Sequence, residues 1–421
     1  METPRLRAVS LFLALLASVL LLGCAGERYK VDYSGFQGAY AENSNRQLLL
    51  NLARLDWHEP TYFLQFGQIS VSYNWNSSLS ASAADSSLPG VRPPAVVSGS
   101  ANLSGSAGES PQFTFIPVTD EKVAQLLLQP VDPEILYTLF LQGMPVDQLM
   151  RLMIERIEVP SATGNTVYFN SPGAPNYVAF LKTCAVAREL QKDGHLILEV
   201  NKVFTPAVEG VEQAKPPTVD QVIALDKTQL TWGHEAGHTG WTVGSYDLEP
   251  VFKLDGGYEE TFTRLDENPV YRGQTLNNMK IILSQKGFTL KAKPLTNDDA
   301  NLTPHLVMRS FLSILTAASQ EQARYNKFLV SHPAEFARVP EPEREPILQL
   351  RWDAKTKVVS PPVVDLDYHG QYYQVTDPAT GNISELASWN RDVFRLLVQL
   401  SSQVSIDISK YPLPTTLQVA P

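Results

Sequence analysis

The residues with the clearest chemical spacing are His234, Glu235, Ala236, Gly237 and His238, which fit the pattern H-E-x-x-H. On a helix this step brings both histidines to one face, where they would bind Zn²⁺ while the glutamate acts as general base. A catalytic zinc also needs a third protein ligand. Glu259 or Glu260 lies at a feasible separation along the chain. The flanks point elsewhere: residues 229–232 and 241–246 read as strands. Gly237 and Gly240 would each cost a helix about 1 kcal/mol relative to Ala. The expectation is therefore a β-hairpin loop with no bound metal, no cofactor and no catalytic residue. A zinc-dependent hydrolase built on His234 and His238 is the alternative. There is no G-x-S-x-G nucleophile elbow, phosphate-binding glycine loop or dinucleotide fingerprint. His305 and His369 stand isolated in sequence and read as surface or core residues.

The H-E-x-x-H string resembles the zinc-binding core of zincin metallopeptidases, but only over residues 234–238. Cysteine chemistry is more informative. The two cysteines, Cys24 and Cys184, form no disulfide framework. Cys184 lies in an apolar stretch expected to be helical, with no histidine close by in sequence to lower its pKa. It reads as a packing residue. Cys24 follows Arg5, Arg7 and an apolar run over 9–22. That run is shorter than the roughly 20 residues of a spanning helix and has the parts of a secretory signal.

The run ends in Leu21-Leu22-Gly23-Cys24, which resembles the lipobox of bacterial lipoprotein precursors. The resemblance implies cleavage after Gly23 and lipidation of Cys24, with a diacylglyceryl group on sulfur and a further acyl chain on the amine. Two or three chains anchor stably where one would not. Ala25, rather than Asp, implies sorting to the outer membrane by the same analogy. The implied partner is membrane lipid through Cys24, with the body facing the periplasm.

The chain of 421 residues carries a formal net charge of −10 and no basic cluster. Nucleic acid is excluded as a partner, because phosphate binding needs a positive surface. The 43% hydrophobic content is ample for a core. The expected class is α+β, with segregated helices, mostly antiparallel strands and one long N-terminal β-hairpin. The expected divisions are a signal peptide over 1–23, a lipidated tether over 24–35, and a helix plus long hairpin over 36–118. A helical unit with a strand follows over 119–204. A strand-rich region plus a long helix spans 205–340, and C-terminal strands and a helix span 341–421. Within these, a third short helix after Pro145 is expected to include Ile157. Loops are expected over 159–176, strands over 279–283 and 347–352, and a helix over 306–330.

The elements that would position any membrane function lie between Phe63 and Ile116. Ile69, Val71, Tyr73, Trp75, Leu79 and Ala81 alternate with Ser70, Ser72, Asn74, Asn76, Ser78, Ser80 and Ser82. After a turn-rich stretch, Val97, Gly99, Ala101, Leu103, Gly105 and Ala107 alternate with Ser98, Ser100, Asn102, Ser104 and Ser106. Period-two alternation gives strands with two unlike faces. Three readings stay open: a hairpin packed on its own domain, a mobile Ser/Gly-rich loop over 77–110, or a membrane-entering hairpin. A single hairpin leaves its edges unsatisfied in lipid, so the third reading requires several copies closing a barrel.

Three further segments resemble a group of bacterial envelope lipoproteins to which no activity is assigned. They are the stretch from Asn45 through Leu55, the stretch from Phe115 through Lys122, and the stretch from Arg309 through Leu315. The resulting expectation is a lipid-anchored cell-envelope protein with a structural or assembly role. It would be a protomer of an outer-membrane homo-oligomer or bind another envelope protein.

Overall fold

The computed structural model describes residues 34–84, 98–117, 125–160, 164–207, 212–234, 239–283, 288–291, 304–379 and 385–409. Within those stretches, positions 36, 126, 226–227, 229, 273–275, 277–278, 281–282, 342, 354–355 and 360 are excepted. The lipobox residues Gly23 and Cys24 lie outside the described residues, as do Glu235, Ala236, Gly237 and His238.

The architecture is α+β and falls into two units. One unit is the hairpin of β1 (Leu64–Ala84) and β2 (Ser98–Pro117). The other is the body, which combines the chain before the hairpin with the chain after it. Helix α1 (37–56) belongs to the body, not to the hairpin as expected from 36–118. Its Leu48, Leu49 and Leu52 are buried at helical spacing, each worth about 1.5–3 kcal/mol. Grouping it with the hairpin rested on adjacency in sequence; its apolar stripe is satisfied by the body instead.

The body begins its helical layer with α2 (Pro133–Leu141) and α3 (Val146–Met153). Asp132 caps α2 by accepting from the Glu134 amide at 2.9 Å, and Pro133 occupies the first turn. Gly143, at φ +81°, turns the chain sharply after it. Every residue of α3 is buried. Helix α4 (Tyr177–Lys192) packs on it and carries buried Phe180, Leu181, Cys184 and Leu190.

A seven-stranded sheet receives these helices. It comprises β3 (Ile154–Val159), β4 (Thr166–Phe169), β5 (Leu196–Pro206), β6 (Thr231–Gly233), β7 (Thr242–Leu254), β8 (Phe288–Lys291) and β9 (His305–Met308). The order is β4-β3-β9-β8-β7-β5, with β6 also paired to β7. All pairs are antiparallel except β8 with β9. The expected break between 204 and 205 runs through β5, and β3 pairs with β9 across it. Segments 119–204 and 205–340 therefore share one sheet.

Several local expectations are corrected. Ile157 sits on β3, not on a helix: the segment carries the β-branched residues Ile154, Ile157 and Val159, pairs with β4 and β9, and is stopped by Pro160. The expected loop 159–176 contains β4. Residues 276, 279, 280 and 283 are helical rather than extended; Leu276, Met279 and Leu283 are all buried, at i, i+3 and i+7. Helix α6 (Tyr258–Glu267) lies in a region read as strands, as does the short α5 (Val219–Ala224). The long helix α7 (Phe311–Ser331) starts later than expected. Residues 305–308 are fully buried in the sheet, and Ser310 then caps α7 by accepting from the Ser313 amide at 3.1 Å. Residues 347–352 form no regular strand, although the Leu350 carbonyl accepts from the Gln374 amide at 3.0 Å.

A short helix α8 (Pro333–Phe336) follows α7, and a separate hairpin joins β10 (Val364–Tyr368) to β11 (Gln371–Val375). Its turn residues His369 and Gly370 have φ of 51° and 74°, the two positive values of a type I′ turn. The final helix α9 (Trp389–Ser409) buries Val393, Phe394, Leu396, Leu397 and Leu400. Among the described residues, no helix is long and apolar enough to cross a membrane.

Candidate functional site

The H-E-x-x-H segment connects two strands paired from Thr231↔Gly244 to Gly233↔Thr242. His234 is exposed and non-helical. Its Nδ1 lies 3.0 Å from the Gly240 carbonyl oxygen, and its ring is 4.0 Å from that of Trp241. Gly240 is buried so tightly that an added Cβ would lie 2.4 Å from Glu212 Oε2. Glu259 and Glu260, the suggested third ligands, stand on the first turn of α6 and are exposed. No group of metal-holding side chains forms among the described residues.

Cys184 is fully buried, and burial, followed by the nearby Glu343 carboxylate, pushes its thiol well above the ordinary range. It is a poor nucleophile, as its apolar surroundings in sequence led us to expect. His305 is buried on β9. His369 is exposed, and its Nε2 is 3.0 Å from Glu59 Oε1.

Two polar clusters were not foreseen. In the first, Arg151 on α3 is completely buried. It donates to Glu321 Oε1 at 3.2 Å and to the Glu345 carbonyl at 2.8 Å, and lies 5.5 Å from the Trp389 ring. Tyr177 and the Ile347 amide also donate to Glu321. Burial is the largest influence and opposes the Arg151 charge, but Glu321, Tyr177, Tyr325 and Glu343 together outweigh it and hold the guanidinium above its usual pKa. Beside it, Arg309 donates to the carbonyls of Arg151, Leu152 and Asn170. Arg151 bonds through Nη2 alone; its Nε and Nη1, and Asn170 Oδ1, are buried without a hydrogen-bond partner among the described residues. The adjoining cavity, lined by Glu155, Asn170, Arg309, Ser313, Glu321 and Arg324, measures about 240 Å³. That is below the usual range for small-molecule sites. The cluster joins α3, α4 and α7 to the irregular chain at 343–347.

The second cluster joins the end of α1 to the β10–β11 hairpin. Trp57 Nε1 donates to Tyr373 Oη at 2.9 Å, and Tyr373 donates to Asp56 Oδ2 at 2.8 Å. Tyr368 donates to Glu59, and this bond, ahead of the contact with His369, lowers the Glu59 pKa. The partners lie more than 300 residues apart, so no local pattern announces them.

The remaining candidate is the β1–β2 hairpin, whose register is antiparallel from Leu64↔Pro117 to Ala84↔Ser98. One face holds the pairs Ile69/Phe113, Val71/Pro111, Tyr73/Glu109, Trp75/Ala107, Ser77/Gly105, Leu79/Leu103, Ala81/Ala101 and Ala83/Gly99. The other holds Ser70/Gln112, Ser72/Ser110, Asn74/Gly108, Asn76/Ser106, Ser78/Ser104, Ser80/Asn102 and Ser82/Ser100. A slip of one residue would have mixed the two sets. An irregularity between Phe66 and Ile69, at Gly67 and Gln68, changes the parity of β1. It brings Phe66/Phe115 and Leu64/Pro117 onto the Ile69 face. The sheet is two-stranded, so each strand keeps one edge unpaired among the described residues.

Comparison with known proteins finds no family model, curated protein or solved structure that matches the chain.

Proposed function

We propose that this is a lipid-anchored outer-membrane protein whose β1–β2 hairpin, contributed by several copies, closes into a β-barrel. The observation that carries the reading is the hairpin register. From Ile69/Phe113 to Ala84/Ser98, 16 residues per strand, it collects mainly apolar residues on one face, Ser77 and Glu109 excepted, and uncharged polar or small residues on the other. A membrane β-strand needs about 9–11 residues of such alternation, with lipid on the apolar side. The two strands contain one charged residue, Glu109. An isolated hairpin in lipid would leave both edges unsatisfied, so neighbouring copies must pair along them. The lipobox ending at Cys24 supports the same location, since it leaves the hairpin about forty residues from an anchor. The role is structural: the body folds at the periplasmic face and the hairpin enters the membrane.

The test uses the full chain extracted from membranes in mild detergent. An oligomer is expected, with fluorophores at Ile69→Cys and Val71→Cys quenched from the lipid phase. A monomer with both labels in water overturns the barrel. Independently, Cys24→Ala should abolish metabolic lipid labelling, and unchanged labelling overturns the anchor.

The second reading is a lipid-anchored zinc hydrolase, for which the spacing of His234 and His238 is the favouring observation. It requires one zinc per purified chain, lost in His234→Ala.

A further inference from the structure

The polar face of the hairpin has a chemical character beyond being polar. From Ser70/Gln112 to Ala84/Ser98, each position on that face is Ser, Asn, Gln, Gly or Ala. No carboxylate, ammonium, guanidinium or imidazole occurs on it at any level. The one charged residue of the two strands, Glu109, pairs with Tyr73 and lies on the opposite face. Tyr73 and Trp75 are aromatic residue types suited to a membrane–water boundary.

We propose that the barrel lumen is a neutral, hydroxyl- and amide-lined passage for uncharged hydrophilic solutes, one that does not select small ions by charge. The inference rests on the barrel reading above and specifies what such a barrel would pass. Channels select cations or anions through rings of charged side chains or oriented carbonyls. In a symmetric barrel each lumen residue becomes a ring of identical residues, so one charged position would suffice to select. This face supplies no such ring. It supplies serine hydroxyls and asparagine amides, which donate and accept hydrogen bonds. These groups match the hydroxyls of neutral polyols and sugars, and they offer no fixed charge to retain or repel an ion.

The experiment reconstitutes the purified full-length protein in planar bilayers under a KCl gradient and in liposomes loaded for swelling by a neutral sugar. Roughly equal permeability to K⁺ and Cl⁻, together with swelling by the sugar, is the expected result. Ser72→Asp, which adds a carboxylate ring on the polar face, should raise cation over anion permeability several-fold, while Ser72→Asn should leave the ratio unchanged. Channels with a strong ion preference in the unaltered protein overturn the neutral lumen and leave the barrel standing. A Ser72→Asp channel with an unchanged ratio does the same, because it removes Ser72 from the lumen. No conductance from a protein that is also monomeric in detergent overturns the barrel reading itself. An oligomer that conducts nothing overturns the open passage alone.

Discussion

Arg151 shows how a buried charge can tie distant parts of a fold together. Its guanidinium is sealed among Glu321, the Glu345 carbonyl and the Trp389 ring. Removing one partner of a buried pair strands the other charge, a cost of about 3–5 kcal/mol. Arg151→Met should lower the unfolding free energy by about that amount in urea titration. The double replacement Arg151→Met with Glu321→Met should recover a substantial part, because neither charge then remains alone. A double-variant loss equal to the sum of the losses in Arg151→Met and Glu321→Met would mean that the pair is not coupled. Nothing in the sequence marked Arg151 out, since it lies among leucines and methionines on a helix and meets Glu321 only through folding. Cys24, by contrast, was singled out by its immediate neighbours, and Cys184 by its apolar surroundings.

Between elements, α4 and α6 are joined by Asp193. Its Oδ2 accepts from Thr261 Oγ1 at 2.5 Å and from Arg264 Nη2 at 2.8 Å. The Thr261 hydrogen bond, ahead of the Arg264 contact, lowers the Asp193 pKa. A carboxylate depressed in the folded state stabilises the protein above its unfolded pKa of about 4. That contribution disappears as pH falls through the lower folded pKa. Asp193→Asn should therefore be less stable than the unaltered protein at pH 7, and the difference should shrink below about pH 4. Urea midpoints across that range check it; a difference constant with pH would assign Asp193 no ionic role. At this scale the sequence was read unevenly. Helix α2 and the His369–Gly370 turn carry local marks, namely proline, glycine and a cap. Strands β3 and β9 carry no such mark, because each abuts a helix and only sheet pairing decides where one ends.

For the whole molecule, the division into hairpin and body makes a simple forecast. Leu64 and Pro117 are paired, so the chain can be closed between them. Replacing residues 65–116 with a Gly-Ser-Gly turn should leave the body's urea midpoint unchanged while abolishing oligomer formation in detergent. A large loss of body stability would show that the hairpin supports the body fold. The sequence by itself determined the alternation of the two hairpin faces and the lipobox resemblance, because both depend on residues adjacent in the chain. It also bounded the charge and the α+β class. Only the tertiary structure decided that β3 and β9 share one sheet, that Arg151 meets Glu321, and that α1 belongs to the body. Each of those joins residues far apart in the chain, where burial and pairing, rather than local preference, set the outcome.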